Sequence, residues 1–170
     1  MQIKFRTLAA LATLAIAGAA QAQAPNPLDN VPDNMPFDVP YGTPISLDRA
    51  DAMLNLAVAE SKKRNWKMNI AVVDSGGNLV SFKRMDGAQI ASIAIAEAKA
   101  RASANFRRET KAFEAGIQNG NNYLITLPGV VASRGGIPIV DGGRIIGAIG
   151  CSGGTGAQDE VICKAAITAR

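Results

Sequence analysis

Residues 147–160 read GAIGCSGGTGAQDE, and this stretch combines three signals of local structure. The isoleucines of segment 145–149 are β-branched and predict a buried strand. The glycines of segment 152–156 predict a loop, because glycine adopts positive φ angles without a steric cost. Asp159 and Glu160 follow at the start of a helix-forming run, where carboxylates interact favourably with the helix dipole. The stretch therefore predicts a strand, a glycine loop and a helix, with two acids beside exposed backbone amides.

Two interpretations of this loop remain open after a third is rejected. A phosphate-binding loop needs Lys and then Ser or Thr after its last glycine, whereas Ala157 and Gln158 stand there. One interpretation is a tight turn with helix-capping acids. The other is a ligand or metal site that uses the loop amides, Ser152, Asp159 or Glu160. A divalent metal held by the two acids alone is disfavoured, since adjacent carboxylates on a helix point in different directions.

Length and composition predict one globular domain. The chain has 170 residues, of which 48% are hydrophobic and 19% charged, with a formal net charge of +4. This weak, scattered positive charge does not indicate nucleic-acid binding. The chain contains no histidine, which excludes a histidine-based triad, an imidazole metal ligand and histidine-ligated haem within this chain.

The N-terminal segment has the organisation of a secretory signal peptide. Lys4 and Arg6 precede a continuous run of apolar and small residues, and Ala20-Gln21-Ala22 forms a small-x-small cleavage site. The run is too short for a membrane span, which needs about 20 apolar residues. We therefore expect a signal peptide over 1–22, a proline-rich arm over 23–44, a domain over 45–170, and a periplasmic or secreted protein.

The two cysteines, Cys151 and Cys163, are candidates for a disulfide in an oxidising compartment. A bridge over this spacing would stabilise the protein by about 3 kcal/mol in the chain-entropy model. It forms only if the last helix folds back over the preceding strand. The alternative is a pair of buried thiols that act as small apolar residues.

The order of predicted elements indicates an α+β fold, because adjacent hairpins favour an antiparallel sheet with helices on its faces. In chain order we expect a helix from Ser46 to Arg64, a hairpin over 68–82, helices over 89–106 and 109–118, a short apolar strand over 123–127, a hairpin over 137–150 and a final helix from Ala157. In the second helix, Ile90, Ile93, Ala94, Ala98 and Ala102 are predicted to form the buried face. Lys99 is expected to be exposed there, with contact to a ligand carboxylate as the alternative.

Four segments, Val73–Leu79, Arg84–Ala88, Gly136–Ile139 and Gly147–Glu160, together resemble the GlcG/HbpS-like family. This family also includes the C-terminal domain of PduO-type adenosyltransferases. The resemblance implies a profilin-like fold with a five-stranded antiparallel sheet, helices on both faces, and assembly into dimers or larger oligomers. Some members bind haem or take part in haem sensing or degradation.

The first functional hypothesis is therefore a binding protein for haem or another tetrapyrrole. Its pocket would lie between the Arg84–Ala88 segment, the alanine-rich helix and the glycine loop with Ser152, Gly153 and Gly154. Cations would pair with the propionates, and the candidates are Arg84, Lys99 and Arg134. In the absence of histidine, the candidate iron ligands are Met85, Tyr123 and the cysteines, although bridged cysteines could not bind iron.

The alternative is an enzyme, such as a hydratase, isomerase or hydrolase, that acts on a small carboxylate or carbonyl compound. Acid–base catalysis would then depend on Asp86, Asp159 or Glu160, with a pKa raised by burial. Arg84 or Lys99 would anchor the substrate. The amides of the glycine loop would stabilise a developing oxyanion.

Overall fold

The structure is a computed structural model that describes residues 31–168, so the expected signal peptide and the start of the arm lie outside the described residues. Four α-helices, four strands and a 3-10 helix account for the regular structure of this part of the chain. The helices are Leu47–Lys63 (α1), Ser92–Asn105 (α2), Lys111–Gln118 (α3) and Gly156–Thr168 (α4). The strands are Asn69–Asp74 (β1), Leu79–Arg84 (β2), Gly136–Asp141 (β3) and Arg144–Ser152 (β4).

The strands form one antiparallel sheet in the order β2-β1-β4-β3, which confirms the α+β class. The expected five strands are not found, because the sheet has four strands within residues 31–168. Residues 123–127, expected as a strand, overlap a 3-10 helix at Asn122–Thr126. Local bonds close this helix, such as the one from the Leu124 amide to the Asn121 carbonyl at 3.1 Å. Backbone groups of this segment therefore form local hydrogen bonds, and the segment does not join the sheet.

Helices cover both faces of the sheet. Ile70 and Val72 of β1 pack in one core cluster with residues of α1 and α4, whereas Ala71 and Val73 face the alanines of α2. This split follows from the period of two along a strand, which sends successive side chains to opposite faces. No helix within residues 31–168 combines the length and the apolar character that crossing a bilayer requires.

Helix α2 lies directly on the sheet at the paired glycines Gly136 and Gly150. A Cβ atom added to Gly150 would overlap the Ala96 carbonyl oxygen and would lie 2.6 Å from the Ala100 amide nitrogen. A Cβ atom added to Gly136 would overlap the Lys99 carbonyl oxygen. The two glycines therefore set how closely the helix backbone approaches the strands.

The face that α2 buries differs from the expected one. Of the expected residues, Ala102 is buried and Ala94 is exposed, and the buried side also includes Ala96, Lys99 and Ala100. Alanines occur all around this helix, so their spacing alone did not identify the buried stripe.

The end of the proline-rich arm is part of the compact unit, which begins at Met35. The Ile145 amide donates to the Pro40 carbonyl and the Gly42 amide donates to the Ile145 carbonyl, both at 2.8 Å. The Tyr41 hydroxyl lies 3.1 Å from the carbonyl oxygen of Ala104 and from that of Asn105, at the end of α2. These contacts attach the arm both to β4 and to the C-terminus of α2.

A disulfide joins Cys151 in β4 to Cys163 in α4, with their Cα atoms 5.8 Å apart. Both cysteines are fully buried. Helix α4 folds back over β4, and this is the geometry that the pairing requires. The bridge encloses the glycine loop and the first turns of α4.

Candidate functional site

The 84–88 bend and the glycine loop border the same hollow. This glycine hollow has a volume of about 310 Å³. Gly87 of the 84–88 bend and Gln89 just after that bend line it on one side, and Gly153 and Gly154 of the glycine loop line it on the other. The remaining lining residues are Asn65, Trp66, Lys67, Met68 and Gln158. Two segments that are far apart in the chain therefore meet at one end of the sheet.

A larger depression of about 640 Å³, which we call the main groove, adjoins the glycine hollow. The two cavities share Asn65, Trp66 and Lys67 in their linings. Four apolar residues line the main groove: Val58, Trp66 and Met85, which pack on the α1 and α4 side of the sheet, and Phe82, whose side chain packs on the α2 side. Its volume lies within the range of small-molecule sites, and the indole of Trp66 suits a flat ligand.

Four cationic side chains also line the main groove, namely Lys62, Lys67, Lys83 and Arg84. None of the four forms an ion pair with a carboxylate of residues 31–168, and Asp86 is the one carboxylate in the lining. Eight other cations of residues 31–168 are ion-paired, whereas Arg107, Arg108 and Arg144 also have no carboxylate partner there; the eight are Arg49, Lys63, Arg64, Lys99, Arg101, Lys111, Arg134 and Lys164. The groove therefore concentrates positive charge that the described chain leaves without a counter-ion.

The end of α1 places Trp66 and Lys67 at the groove. Asn65 adopts a left-handed conformation, with φ 54. The Trp66 amide donates to the Ser61 carbonyl at 2.9 Å, and the Asn65 amide donates to the Lys62 carbonyl at 3.1 Å. This is the Schellman pattern, which stops the helix and turns the chain sharply. Strand β2, at the edge of the sheet, also contributes residues to the lining, namely Phe82, Lys83 and Arg84.

The glycine loop satisfies its own polar groups. The Thr155 amide donates to Gln158 Oε1 at 2.8 Å, and the Gln158 amide donates to the Thr155 hydroxyl at 3.3 Å. This reciprocal pair is a capping box at the start of α4. The Gly154 amide donates to Asp159 Oδ1 at 3.0 Å. An oxyanion at this loop would therefore compete with Asp159 for the amide.

Lys99 and Asp159 form a buried ion pair with each other, so the expectation that Lys99 is exposed is wrong. Lys99 Nζ lies 2.7 Å from Asp159 Oδ2, and the side chains are only 1% and 3% exposed. Lys99 Nζ also donates to the Arg134 carbonyl at 2.8 Å and to the Cys151 carbonyl at 3.3 Å. Burial raises the pKa of Asp159, and the Lys99 ammonium and the loop amides oppose that rise.

Glu160 and Arg134 belong to a network of ion pairs between α3, α4 and the segment before β3. Arg134 forms two hydrogen bonds to Glu114 Oε1, at 2.7 and 3.0 Å, and its Nη1 lies 3.4 Å from Glu160. Glu160 also contacts Lys164 at 2.5 Å and Lys111 at 3.2 Å. Hydrogen bonds from Arg134 lower the pKa of Glu114. Burial acts to raise the pKa of Glu160, but hydrogen bonds from Lys164 and Lys111 hold it below its ordinary value.

The predicted site residues therefore fall into separate groups. Around the main groove and the glycine hollow lie Arg84, Met85, Asp86, Gly153 and Gly154. The side chains of Lys99, Arg134, Asp159 and Glu160 are engaged in ion pairs, and Ser152 is buried. Tyr123 is 52% exposed on the 3-10 helix and lines neither cavity.

Sequence reasoning missed Trp66, Lys67, Phe82, Lys83 and the role of Lys62 at the groove. Basic residues at the C-terminus of a helix, as over 62–64, interact favourably with the helix dipole, so their presence alone does not indicate a binding site. A signal was present, since the only tryptophan of the chain lies between that run and Lys67.

An α+β domain with an open groove of aromatic and unpaired cationic residues is suited to holding a flat anionic molecule. The chain belongs to the family described as haem degrading protein HbpS-like, whose model matches residues 45–168.

Relatives and solved structures agree with this membership. Protein GlcG of Escherichia coli K12 is 43% identical over 108 residues, which cover 64% of this chain and 81% of GlcG. A double mutant of Streptomyces reticuli HbpS superposes with a TM-score of 0.69 at 26% identity, covering 86% of this chain and 96% of HbpS. The structure of the PduOC:heme complex gives a TM-score of 0.69 at 25% identity, covering 75% of this chain and 96% of that one.

Proposed function

We propose that this protein binds haem or a related tetrapyrrole in the main groove. The observation that carries the proposal is the combination of apolar surface from Trp66 and Met85 with four cations that lack an ion-pair partner within residues 31–168, all lining one groove. A tetrapyrrole has a flat apolar ring and ionised carboxylate side chains, and it is complementary to that surface. PduOC, a structural relative, has been solved in complex with heme.

The residues of the groove fit haem without a histidine ligand. Apolar side chains would contact the ring, and the cations would hold the propionates. Met85 is the one lining residue with a sulfur donor, since the cysteines are bridged. Bound haem would supply its iron and its visible absorption, and the protein's own residues would bind and orient it.

The cations of the groove should contribute measurably to haem affinity. We expect the double variant Lys67→Gln/Arg84→Gln to bind haemin at least about tenfold more weakly than the parent, since two charge-assisted contacts are lost. Quenching of Trp66 fluorescence reports on the groove directly, because the chain contains one tryptophan and it lines the groove.

The matched control is Lys63→Gln/Arg101→Gln, which removes the same charge from cations that do not line the groove. It should bind haemin within about twofold of the parent, because exposed ion pairs contribute little. Equal weakening in both variants would indicate a general charge effect. Absence of quenching by micromolar haemin in the parent protein would refute the proposed function.

Binding is better supported than the enzyme alternative. Of the three candidate acids, Asp86 lines the main groove, whereas Asp159 and Glu160 are held in ion pairs. Acid–base catalysis by either of those two would require breaking contacts that the fold uses. Assembly into dimers or larger oligomers, which the resemblance implied, stays a prediction.

We further propose that the protein is exported to an oxidising compartment. The signal-peptide pattern of residues 1–22 and the Cys151–Cys163 disulfide both support export. We expect protein isolated from the periplasm or medium to have the mass of residues 23–170 and no free thiol after unfolding without reductant. A full-length mass, or two titratable thiols, would contradict this prediction.

A further inference from the structure

The unpaired cations of the main groove lie on two sides of it. Lys62 and Lys67 come from the end of α1 and the turn after it, and Lys83 and Arg84 come from β2 and its end. The ammonium group of Lys67 also approaches Gly87, since a Cβ atom added there would lie 3.1 Å from Lys67 Nζ. Positive charge therefore borders the groove and continues to the edge of the glycine hollow.

Met85, by contrast, contributes to the apolar floor. Its side chain is partly buried and packs against the core cluster between the sheet, α1 and α4. Its amide donates to the Met68 carbonyl at 3.0 Å, which fixes its backbone position. A thioether is a weak acceptor, and this one is already engaged in packing.

We propose that the main groove recognises a tetrapyrrole by its carboxylate substituents and ring face, and not by its central metal. A metal-free porphyrin with free carboxylates is then bound as tightly as haem. The ligand class is carboxylated tetrapyrroles, whether or not they carry iron. This inference rests on the proposed function, because it specifies which part of the ligand the groove contacts.

Three ligands separate the contributions of the metal and the carboxylates. The protein is titrated with haemin, protoporphyrin IX and protoporphyrin IX dimethyl ester, and quenching of Trp66 gives each Kd. We expect haemin and protoporphyrin IX to agree within about threefold. We expect the dimethyl ester, which lacks the charges, to bind about tenfold more weakly or worse, because the charge-assisted contacts are lost.

The Met85→Leu variant provides a second measurement, since leucine conserves the volume of the floor. It should leave the absorption spectrum of bound haemin unchanged, because no bond to the iron is lost. Haemin binding at least tenfold tighter than protoporphyrin IX, or a large affinity loss with a spectral change in Met85→Leu, would overturn the inference and leave the proposed function intact. Equal binding of the dimethyl ester would also overturn it. Failure of all three ligands to quench Trp66 would instead remove the proposed function itself.

Discussion

Replacing Lys99 with methionine is expected to lower the free energy of unfolding by about 3–5 kcal/mol, because the change leaves a buried carboxylate without its cation. Asp159 is 2% exposed, and its remaining described partners are amides of the glycine loop. The two carbonyls that accept from Lys99 Nζ, those of Arg134 and Cys151, also lose their donor. Urea denaturation of the disulfide-intact protein measures the loss.

The double variant Lys99→Met/Asp159→Asn provides the control. It removes both charges and retains an acceptor for the Gly154 amide, so it should be more stable than Lys99→Met alone. If the double variant is as unstable as the sum of the two single variants, the charges of Lys99 and Asp159 are not coupled. That result would show that Lys99 stabilises the protein through packing and its hydrogen bonds to the two carbonyls, and not through the ion pair.

The loss in the free energy of unfolding caused by Lys99→Met should also depend on pH. Burial already raises the pKa of Asp159, and removal of the opposing ammonium raises that pKa further. A carboxyl whose folded-state pKa is raised destabilises the protein most above that pKa, and the cost is relieved as the pH falls and the group is protonated. The stability difference from the parent should therefore be larger at pH 8 than at pH 5.

Strand and hairpin positions could be predicted from the sequence because their signals are local. The turn after β1 is an example, since Asp74 Oδ1 accepts from the amides of Gly76 and Asn78 at 2.8 and 2.9 Å. An aspartate followed by glycines and asparagine favours this geometry wherever the chain continues as a strand. The 3-10 helix at Asn122–Thr126 was not predicted, because a short apolar run has no distinctive period.

The burial of Lys99 and the groove itself depend on contacts distant in sequence. Lys99 lies on the same stripe as Ala96 and Ala100, but its partner Asp159 is 60 residues away in the chain. Likewise, Trp66 and Arg84 become neighbours of one cavity because β2 returns beside β1. The sequence predicts both the 84–88 bend and the glycine loop, and the topology of the sheet brings the two together.

The same topology makes the contact between α2 and the sheet sensitive to a single methyl group at Gly150. A methyl group there would overlap the Ala96 carbonyl oxygen and would lie 3.1 Å from the Ala100 Cβ atom. Neither obstacle is the end of a flexible side chain, so relief requires movement of the helix as a body. Such a movement would also draw Lys99 away from Asp159. Gly150→Ala would then destabilise the protein both through the steric overlap and through a weakened ion pair.

We therefore expect Gly150→Ala to lower the free energy of unfolding by at least about 3 kcal/mol, at the upper end of the usual cost of overpacking. Gly76→Ala is the control, because Gly76 lies in the exposed β1–β2 turn without a positive φ. There an added Cβ atom meets only flexible side chains, the nearest atom being Asn78 Nδ2 at 3.1 Å. Gly76→Ala should therefore lower the free energy of unfolding by less than about 1 kcal/mol. Urea denaturation compares the two, and a Gly150→Ala protein as stable as Gly76→Ala would show that α2 does not rest on the sheet at this pair of glycines.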